Sequence, residues 1–207
     1  MERKDNYLLQ VQQAKQYFLR YDQQKLVEKL GLAWDETYLY TRMLGRDYRI
    51  CRATGDLEGL TGEHWTDANT HGEFMTLMDL VCDSSPHRHT TGVWKTMVSF
   101  GHMFHRDLME GKDPFAEAIQ RDMAAFCRAC EALGGTPEKI GDISYAIEVF
   151  DGLRLCLQFW EEDEDFSAQV VWFWDENALM YLKYETMYFA VGLVKQRIKE
   201  KMKNLTV

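Results

Sequence analysis

The sequence predicts an α+β fold in a single domain over residues 1–207, with an antiparallel sheet of about four strands in two hairpins, several helices and a long C-terminal helix. Three observations lead there. Two stretches alternate apolar and polar residues about turn signals, four or five others repeat their apolar residues at helical spacing, and no linker, repeat or low-complexity tract divides the chain. At 46% hydrophobic content the chain can bury a core of its own.

Taken in order, Tyr7, Leu8, Val11, Ala14 and Phe18 predict a helix from Asn6 to about Tyr21, and Asp22 to Gly31 reads as a second, short one. Alternation on both sides of Gly45-Arg46 predicts a hairpin from about Thr37 to Arg52. Thr70 and Glu73 have the spacing of a capping box, and Phe74, Leu77, Met78 and Val81 carry a helix from His71 to about Cys82. The run from Asp83 to Gly92, rich in serine and threonine around Pro86, is a loop by composition, and VWKTMVSFGHMFHRDLMEGK, Val93 to Lys112, fits either a short helix or irregular structure. Asp113-Pro114 then opens a helix, with Phe115, Ile119, Met123, Phe126, Cys130 and Leu133 on one face and Gly134-Gly135 at its end. Leu153 to Trp160 and Val170 to Trp174 alternate as two antiparallel strands around an acidic turn. From Lys183 an apolar stripe runs through Ile198 to Met202, with basic residues near the negative end of the helix dipole.

A formal net charge of -9 opposes nucleic-acid binding, which needs clustered basic residues against phosphates. The first residues carry charges with no apolar run behind them, and no stretch approaches the ~18 apolar residues of a membrane span. A soluble, cytoplasmic protein is therefore expected, without nucleic acid or membrane as partner. The five cysteines are scattered, which favours reduced thiols, and the sequon at Asn204 carries no weight in that setting.

Each candidate site has a plainer alternative. Glu161 to Asp165 lack the glycine and glutamate positions of a calcium loop, so they read as a solvated hairpin tip. His87 and His89, with His102 and His105 as H-x-x-H, could form a transition-metal or catalytic site, although their spacing is that of no specific motif. The C-x-x-C at Cys127 and Cys130 lies late in its helix, where buried structural thiols are expected. Trp160, Trp172 and Trp174 share the less apolar face of the second hairpin and form either core or a platform for a flat ligand or partner. P-loop, dinucleotide and nucleophile-elbow motifs do not occur, so the sequence supplies no recognised catalytic motif and the cofactor stays unknown.

Gly141-Asp142, the strand Leu153 to Trp160, the turn Asp163-Glu164-Asp165-Phe166, and Trp174-Asp175 leading to Tyr181-Leu182 together resemble the bacterial family known as domain of unknown function 3786. LGRDYRI from Leu44 and TGVWKTMVSF from Thr91 extend the resemblance over most of the chain; it departs at Trp174, where phenylalanine is usual, and in the loop Cys82 to His89. The resemblance implies a setting in anaerobic bacteria and archaea, where some members are joined to iron-sulfur modules of the kind seen in corrinoid proteins; this chain has no such cysteine-rich module. It brings no catalytic residues.

Three functions stay open on this reading. They are a non-catalytic binding or accessory protein of anaerobic metabolism with a small-molecule or corrinoid-type partner, a metal- or cofactor-dependent enzyme built on the His87, His89, His102 and His105 region, and a homo-oligomeric interaction domain.

Overall fold

The computed structural model describes residues 3–101 and 113–205. The fold is α+β, and among the described residues it contains six α-helices and ten strands in two antiparallel five-stranded sheets. The strand number exceeds the expected four. The chain falls into two compact units, one of Met1–Arg88 with Met180–Ala190, the other of His89–Leu179 with Val191–Val207.

In the first unit, α1 (Arg3–Phe18) precedes α2 (Gln23–Leu30), whose N-cap Asp22 accepts from the Gln24 and Lys25 N–H groups and whose end is set by the left-handed Gly31. The sheet runs β1 (Ala33–Trp34), β2 (Tyr38–Met43), β3 (Arg46–Cys51), β4 (Leu57–Thr61) and β5 (His64–Asp67) in sequence order. The β2–β3 hairpin is as expected, and its turn has left-handed φ at both central residues, 50° at Leu44 and 70° at Gly45, matching the strands' twist. The sequence did not announce β4 and β5. The strands are short, and Gly59 interrupts the alternation because the Arg46 guanidinium lies against it, in the space a Cβ would need.

The inner face of this sheet buries Leu39, Met43, Tyr48, Ile50 and Leu57, and α3 (His71–Met78) contributes Phe74 and Leu77 to the same unit's core. The expected capping box does not form. Thr70 is the N-cap without a side-chain bond, because Glu73 instead accepts from Arg46 Nη1 (2.9 Å) and from the Tyr48 hydroxyl. The helix continues as one π turn, Asp79–Asp83, a widening of the ladder that is uncommon outside functional or strained places.

In the second unit, the ambiguous segment from Val93 opens with the short strand β6 (Trp94–Thr96) and a 3-10 turn, Met97–Ser99, and its part from 102 to 112 lies outside the described residues. The helix expected from Asp113 to Leu133 is two helices, α4 (Pro114–Arg121) and α5 (Met123–Ala132). Asp122 breaks it: with φ −151° and ψ 76° it leaves the helix and caps α5 through the Ala125 N–H. Then come β7 (Thr136–Pro137), β8 (Ile143–Phe150), β9 (Leu153–Trp160) and β10 (Gln169–Asp175), in the order β6-β10-β9-β8-β7. Phe126 packs on Tyr145 and Phe159, so α5 covers one face of this sheet; a fully buried ring of this size contributes about 1.5–3 kcal/mol. The last helix, α6 (Tyr184–Leu205), belongs to the first unit through Ala190 and to the second from Val191. No helix of the described residues is long and apolar enough to cross a membrane.

Candidate functional site

Register decides what the tryptophans do. Leu157 pairs with Trp172 and Leu155 with Trp174, so these two indoles lie on the leucine face of the second sheet, whereas Trp160 pairs with Gln169 on the opposite face. The structure therefore brings two of the three together and separates the third. Trp160 is exposed, Trp174 fully buried, and Trp172 half-buried beneath Phe115, whose ring stacks on it at 6.1 Å and 21°. Lys195 Nζ lies 5.6 Å from the Phe115 centroid and 5.7 Å from that of Trp172, Lys199 Nζ lies over Phe115, and Asp113 holds Lys195 at 3.2 Å. Both Trp172 Nε1 and Trp174 Nε1 are buried, and neither has a hydrogen-bond acceptor among the described residues.

Asp113 also lines an open groove of about 260 Å³ with Glu117, Arg121, Glu162 and Ser167. The acidic run closes the β9–β10 connection as an exposed tip, where Asp163 Oδ1 accepts from the Asp165 and Phe166 N–H groups.

Of the four candidate histidines, His87 and His89 lie among the described residues. His87 is exposed in the loop after the π turn, its N–H donating to Ser85 Oγ. His89 is also exposed, its Nε2 3.0 Å from Asn177 Nδ2. His102 and His105 lie outside the described residues. Among the described residues no three His, Cys, Asp or Glu side chains are grouped to hold a metal ion. All five cysteines are free thiols, and Cys130 is fully buried on α5, where burial pushes its pKa up.

Two arrangements in the first unit lay beyond the sequence reading. At the π turn, Asp79 accepts from Lys183 Nζ (2.8 Å), the Lys183 backbone N–H (3.1 Å) and Thr186 Oγ1 (2.5 Å). Asp83 accepts from Lys183 Nζ and from the hydroxyls of Tyr21 and Tyr17, and Lys29 Nζ donates to the Cys82 and Ser84 carbonyls. Burial alone would lower the Lys183 pKa, but the two carboxylates more than reverse that and hold it above the ordinary lysine value. No short-range signal could have found this cluster, because Asp79 and Lys183 are 104 positions apart.

On the outer face of the first sheet, Tyr40, Arg49, Glu58 and Asp67 stand side by side across β2 to β5. The Arg49 guanidinium lies 4.1 Å from the Tyr38 ring centroid and 4.7 Å from that of Trp65, with Nε on Glu58 at 2.6 Å. Arg52 lies over the exposed Trp34, and Arg42 pairs with Asp47. The alternation of YLYTR and DYRIC, with Tyr38, Tyr40, Arg42, Asp47 and Arg49 opposite Leu39, Met43, Tyr48 and Ile50, was the available signal.

A profile described as domain of unknown function (DUF3786) matches residues 22–197. The chain belongs to the DUF3786 family. No curated protein and no solved structure matches it.

In this DUF3786 chain, several residues that carried the resemblance have structural duties. Asp142 accepts from the Glu161 N–H at the hairpin tip, and Gly141 sits against Gln158 with φ 70°. Buried Asp175 holds the Thr91–Gly92 loop by accepting from both N–H groups and takes the Asn177 N–H as well. The family's acidic and glycine markers thus explain the fold around β10.

Proposed function

We propose that this DUF3786 protein is a non-catalytic binding or accessory protein whose ligand is received beside Trp172 and Trp174 on β10. The observation that carries this reading is the pair of buried indole N–H groups without an acceptor among the described residues, two residues apart on one face of one strand. Each buried unpaired donor costs about 1–3 kcal/mol, a cost a ligand's acceptor atoms would remove. Phe115 stacked on Trp172 supplies a flat apolar wall, and Lys195 and Lys199 bring positive charge to it. This chemistry suits a small ligand with a flat part and anionic oxygens. The setting in anaerobic metabolism, with a corrinoid-type partner, comes from the family resemblance, and corrinoids therefore belong in the screen.

Thermal-shift and indole-fluorescence titrations with planar carboxylates, phosphates and cobalamin test the proposal, followed by Trp172→Phe and Trp174→Phe, which keep a ring and delete the donor. The expected result is a ligand that changes the emission and binds about tenfold more weakly to each variant. A panel without effect, together with variants at least as stable as the parent, would mean the donors serve no ligand and would overturn the reading.

A further inference from the structure

We infer that the outer face of the first sheet is the contact surface for a second copy of this chain, related by a twofold axis running along β4. The face offers Tyr38, Tyr40, Leu60 and Trp65 half-buried among themselves and arginines, and it carries no lysine. Tyrosine, tryptophan and arginine are the residues enriched where protein interfaces gain most of their energy, and lysine is depleted there.

Charge selects the occupant. Arg42, Arg49 and Arg52 stand with Asp35, Asp47, Glu58 and Asp67, three cations against four anions, on a chain whose net charge is -9. A strongly basic or acidic partner would find half of these groups repulsive, whereas a surface with both signs interspersed can complement itself. The open valences agree. Glu58 takes only the Nε–H of Arg49, so both Nη groups lack an acceptor among the described residues. Among the described residues, exposed Asp67 is bonded only at Oδ1, by Asn69.

Arg49 and Asp67 flank Glu58 in one register row, on β3 and β5. With strands ~4.8 Å and facing sheets ~10 Å apart, an axis along β4 lays β3 of one copy over β5 of the other. Arg49 then meets the second copy's Asp67, and Asp67 its Arg49, while the two Glu58 carboxylates face each other at the axis, each held by the Nε–H of its own Arg49. The stacked guanidinium is already fixed between Tyr38 and Trp65, which limits the entropy lost on pairing.

Light scattering and sedimentation of the full chain at about 1–200 µM test this, a range that brackets the affinities of modest dimers. The expected species has twice the chain mass, Arg49→Glu and Asp67→Arg each weaken association at least about 30-fold without lowering Tm by more than a few degrees, and the double reversal restores it. A monomer throughout the range overturns the proposal, as does a dimer indifferent to both reversals or one that the double reversal fails to rescue. A monomer that captures an acidic peptide through Arg49 would give the face to another chain and equally overturn it.

Discussion

Replacing Glu73 with alanine removes one carboxylate that Arg46 and Tyr48 share at the centre of the first unit. The side chains of Glu73 and Arg46 are 11% and 21% exposed, and Tyr48 is fully buried. A hydrogen bond from a buried hydroxyl to a charged acceptor is worth about 1.5–3 kcal/mol. The ion pair adds about 1 kcal/mol once solvent reaching Arg46, and its further bonds to Leu60 O, Thr61 and Thr66, are allowed for. The loss should total about 3 kcal/mol, or about 6–12 °C in Tm for a chain of this size. Urea titration of the parent, Glu73→Ala, Tyr48→Phe and the double variant measures it. Tyr48→Phe should cost about 1.5 kcal/mol in the parent and almost nothing once Glu73 is gone. Additive costs, or a Glu73→Ala loss below about 1 kcal/mol, would refute a shared acceptor.

Three further outcomes follow from local chemistry. Burial raises the Asp83 carboxyl, but hydrogen bonds from Lys183 and Tyr21 outweigh it and leave its pKa below the ordinary 3.8; the stability it contributes is present above that value and lost as pH falls through the lower folded one. Stability measured in urea should therefore fall below about pH 4, and less so in Asp83→Asn; an unchanged acid limb in that variant would count against the cluster. Burial pushes the Cys82 and Cys156 thiols up to about 12, whereas a hydrogen bond with Thr54 lowers half-exposed Cys51, so timed alkylation read by mass spectrometry should label Cys51 well before either. Gly141→Ala should cost about 2 kcal/mol, because φ is 70° and its Cβ would stand 2.6 Å from Gln158 Nε2; a neutral denaturation midpoint would contradict that contact.

How far the chain can be read depends on the range over which each signal acts. The start of α4 is legible because Asp113 caps it through the Phe115 N–H and Pro114 follows, all within three residues. Its end is not, because the apolar stripe continues straight through Asp122 into α5 while the backbone breaks there. β8 gives no alternation to detect, because Ser144, Tyr145, Ala146 and Ile147 are all buried. Counting within each strand groups the tryptophans on one face, and only the pairing of Leu157 with Trp172 reveals that β9 and β10 are offset by one from that count. Of the candidate site, the ring types are visible in the sequence and their surroundings are not.

The polar cluster at the π turn of the first unit is a clasp, and its own groups are poorly placed for acid–base work. Acid–base work needs a group that titrates near neutrality with a valence open to substrate. Here both oxygens of Asp79 and both of Asp83 already accept bonds from the protein, and Lys183 is held charged between them. Burial and the bond to Asp83 push Tyr21 far above the ordinary tyrosine pKa, so it holds its proton as a donor. The bond from the Lys183 backbone N–H to Asp79 gives α6 a capping carboxylate from a distant part of the chain, set where the positive end of the helix dipole favours it. Saturated groups that fasten a helix are poorly placed to move protons on a ligand. Among the described residues, unfilled hydrogen-bonding capacity lies instead on the indoles of β10 and the guanidinium of Arg49.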